Sequence, residues 1–314
     1  CGSPGRAIAP GHLAVGYFRP QRIADIYAAI ESIVSDRVSS IAETCRILEV
    51  NRTAFHAWKT SSPTVFEEQE DELSPLVRVI FKKHRRRYGT RRIIKDLQEL
   101  GYMCSRRRVS NIMKTLHLKA IQPKSFVPKT TQSRHRLGYS PNLLLDADTP
   151  TTSNQVWVGD ITYIPLKGGT FCYLACLMDR FSRRIVGWQL GDDMTESLVL
   201  AALHSAIKER QPKAKLIHHT DRGGQYAGNR YRSVLRRAEI LQSMSRPDNC
   251  YDNAFMESCF GTIKTELEMT EYEDSRHASK EVAEYIRYYN FERRHSGIDY
   301  CSPAQFEQII NLRE

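Results

Sequence analysis

A chain of 314 residues, 41% apolar and 26% charged, has the make-up of an ordinary soluble globular protein with two or three domains and a substantial core. It has no uninterrupted apolar run of about 18 residues, which argues against a hydrophobic membrane span. Its formal charge of +10 at pH 7 calls for a partner or a purpose for the excess.

Residues 1–20 carry neither the basic start nor the apolar block of a secretory signal and read as a flexible segment. Residues 21–60 read as three helices, with Ile23, Ile26, Tyr27, Ile30, Ile33 and Val34 at helical spacing. Ser40 and Glu43 have the spacing of a capping box, and Asn51 stands where a cap for RTAFHAWK belongs. A helix-turn-helix and a plain three-helix bundle satisfy this pattern equally well. The polar, acidic stretch 61–73 reads as a linker.

A second helical unit spans 74–118, opened by Ser74-Pro75 as N-cap and first helical residue. Its segments are PLVRVIFKKH, TRRIIKDLQELG and SRRRVSNIMKTL. Gly101 ends the middle helix and Ser105 caps the last. Residues 77–136 hold 18 Lys or Arg against two acids, whereas 151–314 hold 21 against 22. An excess this local favours a polyanion over a merely solvated surface. Arg85, Arg86, Arg87, Arg91, Arg92, Arg106, Arg107 and Arg108 are the candidate phosphate contacts. Residues 119–155, rich in Pro, Ser and Thr, read as an extended connector.

From 156 the pattern becomes short β runs and helices. VWVGDITYIP, TFCYLACLMD and RRIVGWQLG make three consecutive strands, broken at Lys167-Gly168-Gly169 and near Arg180 to Arg183. An amphipathic helix, the buried strand KLIHHTD, a helix at about 226–238, a strand ILQSMS and a long helix from Asp252 follow. That order predicts a ribonuclease-H-like α/β core over 156–290, preceded by all-α helix-turn-helix regions and followed by a helical extension at 291–314.

Three carboxylates fit that core as a site: Asp160 on the first strand, Asp221 at the end of the fourth, and Glu257 on the long helix. Hard divalent cations take oxygen ligands, and phosphodiester chemistry is served by acids from separate elements converging on about two such ions. Lys264, two helical turns beyond Glu257, falls on nearly the same face and suits a DNA phosphate. Asp179 competes as a fourth ligand, but a hairpin role fits it better, and Asp192 with Asp193 suit helix capping. His218 and His219 adjoin Asp221, one facing each way on the strand, each able to orient a ligand or to pack in the core. Gly223-Gly224 allow either a tight turn or close approach of DNA. Eight scattered cysteines without a CxxC pair or partnering histidines fit reduced packing residues in a cytoplasmic protein.

VWVGDITYIP, DRFSRRIVGW, HHTDRGGQYA, SMSRPDNCYDNAFMESCFGTIKTE and YYNFERRHSGIDYCSPAQFE together resemble the retroviral-integrase-type core of bacterial insertion-sequence transposases, above all the OrfB product of insertion-sequence family three. KKHRRRYGTRRIIKDLQELGYMCSRRRVSNIMKTLHL resembles the helix-turn-helix segment before that core. The resemblance implies that Asp160, Asp221 and Glu257 are a catalytic DDE triad holding two Mg2+ ions, with Mn2+ as substitute, and that Lys264 is the basic residue seven places on. It implies nicking and strand transfer at terminal inverted repeats, on double-stranded DNA, by a homo-oligomer on paired ends. It further implies an upstream OrfA partner or a frameshift fusion, and a nucleoid-associated place in the bacterial cytoplasm. A ribonuclease-H-type nuclease without strand transfer and a non-catalytic DNA-binding derivative are the alternatives.

Overall fold

Two compact units divide the chain, Cys1–Leu73 and Ser74–Glu314. A computed structural model describes residues 23–60, 65–122, 138–145, 147–247, 253–268 and 271–312 of them. Residues 1–22, Asp252, Cys1 and Cys250 lie outside the described residues.

The first unit holds α1 (Ile23–Ser35), α2 (Ile41–Ile47) and α3 (Arg52–Thr60). Tyr27, Ile30, Cys45 and Phe55 form its buried centre, with Trp58 packed against them. Ser40 Oγ accepts the Glu43 N–H at 3.2 Å and Asn51 Oδ1 accepts the Ala54 N–H at 3.1 Å, so each side chain satisfies an orphan donor of its helix. The Glu43 carboxylate pairs with Arg46 at 2.7 Å instead of turning back to Ser40.

The next helix, α4 (Val65–Lys83), takes up the expected linker from residue 65 on, and 61–64 lie outside the described residues. It begins ten residues before Pro75 and runs through it. The Glu, Gln and Leu of this stretch are good helix formers, and they outweigh the ladder hydrogen bond that proline removes.

Within the second unit, α5 (Thr90–Glu99) and α6 (Arg106–Thr115) follow. Gly101, at φ +88°, makes the left-handed turn after α5 that a side chain would strain. Ser105 Oγ caps α6 by accepting the Arg108 N–H at 3.2 Å. The helical region read as a separate DNA-binding module therefore belongs to the same compact unit as the sheet that follows.

That sheet has five strands in the order β3-β2-β1-β4-β5. Strands β1 (Val156–Pro165), β2 (Phe171–Asp179) and β3 (Ile185–Gly191) are antiparallel; β4 (Ile217–Thr220) and β5 (Leu241–Met244) run parallel to β1. Helix α7 (Glu196–Arg210) makes the crossover and seals one face with Leu198, Val199, Ala202, Leu203 and Ala206. Its N-cap is Thr195 rather than Asp192 or Asp193, and the helix begins three residues after that pair. The expected helix at 226–238 is two, α8 (Gly224–Ala227) and α9 (Asn229–Arg237), which cover the strands β4 and β5 with Tyr226, Tyr231 and Leu235. The connector's described part runs beside β5: Pro141 O accepts the Met244 N–H at 3.2 Å and the Ser243 hydroxyl accepts the Leu143 N–H at 2.9 Å.

Helices α10 (Ala254–Glu266), α11 (Ser275–Phe291) and α12 (Pro303–Asn311) complete the unit. The last is tied down by Glu307, whose carboxylate meets Arg210 at 2.8 Å, Arg184 at 2.9 Å and the Ser182 hydroxyl at 2.8 Å. Among the described residues every cysteine is free, and Cys45, Cys172, Cys176 and Cys259 are buried. No described helix is long and apolar enough to cross a membrane.

Candidate active site

Strand register explains why residues 61 positions apart come together. Parallel pairing of β1 with β4 sets Val156 opposite Ile217 and Val158 opposite His219. Two further residues along the same register bring Asp160 level with Asp221, on the same side of the pleat. Asp221 lies one residue past β4, and its Oδ1 accepts the Gly223 N–H at 2.9 Å. A Cβ at Gly223 would stand 3.0 Å from that oxygen, so the glycine serves the tight turn that holds the carboxylate.

Asp160 sits in the middle of β1, opposite Cys176 of β2, and its Oδ1 accepts the Ile161 N–H at 2.8 Å. Burial raises its pKa well above the usual carboxylate range. The charges of Asp221 and Glu257 push it further, and Lys264 opposes them. The four groups singled out from the sequence are thus electrostatic neighbours. Glu257 is exposed in the first turn of α10, which starts at Ala254 with Asn253 as N-cap. Asn253 makes no side-chain capping bond.

Lys264 is half-buried, and its Nζ lies 3.8 Å from the centroid of the Tyr163 ring. Burial lowers its pKa to about 8, partly offset by the Asp160 charge. Tyr163 is a member of the site that the sequence reading did not single out. Nothing local marks it, since a spacing of three on a strand does not share a side of the pleat; only the contact with Lys264 does.

The other candidates have structural employment. Asp179 is fully buried in the β2–β3 turn, where Oδ1 accepts the Phe181 and Ser182 N–H groups, each at 3.0 Å, and Oδ2 accepts that of Asn154 at 2.6 Å. His218 and His219 have different partners and both are buried, because both faces of β4 are covered. His218 Nε2 is 2.7 Å from the Tyr231 hydroxyl, and burial lowers its pKa to about 3. His219 lies between Ser243 and Ser245, at 2.8 and 3.2 Å. Gly159 makes room for His218, whose Cε1 would stand 2.8 Å from an added Cβ.

The arginines divide. Arg87 stacks on Tyr285 and Tyr288, its guanidinium 5.0 and 4.7 Å from the ring centroids, and Nε donates to Glu266 O at 3.3 Å. Arg92 donates to Arg87 O and pairs with Glu266 at 3.4 Å. Arg85 pairs with Glu284, and Arg86 with Glu268 at 3.6 Å, both at the surface. Arg91, Arg106 and Arg107 are exposed on α5 and α6, with Arg108 half-buried. Arg87 and Arg92 therefore dock the helix-turn-helix segment onto the core rather than reaching outward.

Donor chemistry fits a hard divalent cation: three carboxylates, two of them fixed by backbone N–H bonds on one oxygen, with mutual repulsion that a cation would relieve. Among the described residues no three His, Cys, Asp or Glu side chains already converge at ligating distance, so the acids are neighbours rather than a closed cage.

The chain is similar to several known proteins. Integrase core domain models match residues 150–250 and 238–303, and an HTH-like domain model matches 68–126. The insertion element IS600 uncharacterized 31 kDa protein of Shigella sonnei is 38% identical over 266 residues, covering 84% of this chain and 97% of that one. The transposase for insertion sequence element IS904 of Lactococcus lactis is 41% identical over 251 residues, 78% of this chain and 97% of that one. Transposase InsF for insertion sequence IS3A of Escherichia coli is 35% identical over 272 residues, 85% and 94% of the two chains. The HTLV-2 integrase catalytic core domain, solved in complex with magnesium, superposes with a TM-score of 0.42 at 16% identity, over 51% of this chain and 99% of that one.

Proposed function

Because this chain belongs to the IS3 family of insertion-sequence transposases, we propose that Asp160, Asp221 and Glu257 form the active site with which it nicks the ends of its own element and joins the freed 3′-OH to another DNA. The observation that carries this reading is the parallel β1–β4 register, which levels Asp160 with Asp221 beneath the helix bearing Glu257. Two divalent ions held by these oxygens, Mg2+ or in its place Mn2+, would supply the Lewis-acid chemistry of an in-line phosphoryl displacement.

The chain's own groups do the rest. Backbone N–H bonds from Ile161 and Gly223 hold one oxygen of Asp160 and one of Asp221 still, which orients both carboxylates. Glu257, on the exposed first turn of α10, adds the third carboxylate. Lys264 offers its ammonium to a non-bridging phosphate oxygen, aligning the scissile bond and offsetting the charge that gathers in the displacement. No protein nucleophile is required, since water serves the first step and the 3′-OH the second.

Exposed Arg91, Arg106 and Arg107 are the contacts to the duplex at the inverted repeat, working through phosphates and so setting position more than sequence. Two protomers on paired ends, helped by an upstream OrfA segment, complete the working assembly. The test incubates the purified chain with an end-bearing duplex, a target plasmid and Mg2+. Nicked ends and joined products support the reading; nicks without joining would reduce it to a nuclease.

A further inference from the structure

Of the three acids, Glu257 is the one whose side chain nothing in the protein orients directly. Asp160 and Asp221 each accept a backbone N–H, whereas among the described residues no hydrogen bond or ion pair includes Glu257. Its helix is also weakly begun: Asn253 makes no capping bond, and its Oδ1 is buried with no partner among the described residues. Two residues before Glu257, however, the Phe255 ring lies against both Arg180 and Arg183. Their guanidinium carbons stand 4.8 and 4.2 Å from its centroid. We propose that this clasp from the β2–β3 turn sets the first turn of α10 and so aims Glu257, which makes Arg180, Arg183 and Phe255 positioning residues for the reaction. The proposal rests on the transposase reading only in naming Glu257 as an active-site acid.

Helical geometry makes the clasp effective. Successive side chains are about 100° apart around a helix, so Phe255 and Glu257 flank Met256 on its two sides. Met256, Phe260 and Ile263 are buried and fasten α10 to the core. A roll of the first turn about that buried stripe would swing Glu257 away from the other acids. Gripping Phe255 on the far side of the stripe blocks the roll.

The other half of the clasp is stiff, and it is referred to the strand that bears Asp160. Strand β2 pairs with β1 so that Asp160 is opposite Cys176 and Trp157 opposite Asp179. The Arg180 N–H donates to Val156 O at 2.9 Å, and the Arg183 N–H to Asp179 O at 2.9 Å. The Asp179 carboxylate, already accepting three backbone N–H groups, locks the turn between them. Arg183 holds φ +64°, a left-handed conformation that suits glycine or asparagine better than a long side chain. Neither arginine has a carboxylate partner among the described residues, so their half-buried cations are matched by the electron-rich ring.

The full chain is the material for the test, as wild type, Phe255→Leu, Phe255→Tyr and the pair Arg180→Gln with Arg183→Gln. Arg237→Gln, on the exposed side of α9, is the charge control. Strand-transfer kcat and KM are measured together with melting temperature, and Mn2+ affinity is read from the electron paramagnetic resonance of the free ion. Phe255→Leu and the arginine pair are expected to lower kcat roughly 10- to 100-fold, as a misplaced group does. KM should stay within about threefold, and Mn2+ affinity should fall roughly tenfold. Phe255→Tyr keeps the ring and should stay within about twofold of the wild type, as should Arg237→Gln. On a Glu257→Gln background, Phe255→Leu should weaken Mn2+ binding no further, because its effect runs through Glu257. An equal Mn2+ loss on both backgrounds overturns the proposal, as do wild-type rate and Mn2+ affinity in the clasp variants. A loss seen in KM instead of kcat also overturns it, making the two arginines DNA contacts. Failure of the wild type to join DNA while the Mn2+ cycle holds would sink the transposase reading and leave the clasp standing.

Discussion

The ammonium of Lys264 stands 3.8 Å from the centre of the Tyr163 ring, and Tyr163 follows Asp160 by three residues on β1. One strand thus supplies both a carboxylate and the aromatic face that steadies the cation working opposite it. A partly desolvated cation–π contact is worth on the order of 1–2 kcal/mol. Replacing Tyr163 by Leu should therefore raise the KM for end DNA roughly 5- to 30-fold, while Phe should largely rescue it. Equal losses in the Leu and Phe variants would show that the hydroxyl, not the ring, matters.

Burial lowers the Lys264 pKa to about 8, so its charge is carried below that pH and shed above it. End-DNA affinity measured from pH 7 to pH 9.5 is expected to fall through that window in the wild type. Lys264→Arg stays cationic throughout and should flatten the profile. A wild-type profile as flat as that of the arginine variant would place the ammonium away from the phosphate.

Asp160 has the opposite sign of linkage from a salt-bridged acid. Its pKa is raised in the folded state by burial and by the Asp221 and Glu257 charges. Stability from this group is therefore complete below the ordinary carboxylate pKa and is lost as pH rises through the higher folded value. In EDTA at neutral pH, Asp160→Asn should melt a few degrees above the wild type, at roughly 2–4 °C per kcal/mol for a domain of this size. Added Mg2+ should stabilise the wild type more than the variant. A lower melting temperature for Asp160→Asn in EDTA would contradict the account of mutual repulsion.

Glu266 joins the helix-turn-helix segment to the core. It pairs with Arg293 at 2.8 Å and Arg92 at 3.4 Å, and it accepts the Tyr285 hydroxyl at 3.0 Å. Only 6% of the Glu266 side chain is exposed, so Glu266→Ala leaves Arg293 buried without its partner, at a cost of about 3–5 kcal/mol. Urea unfolding is the measurement. A loss under about 1 kcal/mol would mean the pair is as solvent-screened as a surface bridge.

Strands and acids were legible in the sequence because both leave local marks. Short β runs and the Lys167-Gly168-Gly169 break outline β1 and β2, and the positive φ of both glycines shows why that break is where it is. The fate of the arginines was not legible. Arg87 and Arg92 look the same as Arg91 in the string, and only long-range packing against Tyr285, Tyr288 and Glu266 separates them. The start of α4 was missed for a related reason: Ser74-Pro75 is a sound local signal, overruled by the helix on both sides of it. His218 and His219 were expected to face opposite ways, which they can do and still both be buried when each face of the strand is covered. Tyr163 was hidden because its importance lies in Lys264, 101 residues away, resting on its ring.

The central claim is that Asp160, Asp221 and Glu257 act together on one phosphodiester. Its most direct test is strand transfer of a pre-nicked, end-bearing duplex into plasmid by the wild type, Asp160→Asn, Asp221→Asn and Glu257→Gln, in Mg2+ and with end binding measured in parallel. The account predicts that each variant binds the end within a few-fold of the wild type yet transfers it at least about a thousandfold more slowly, as expected for groups that act as a unit. Transfer at the wild-type rate by any one of the three would contradict it.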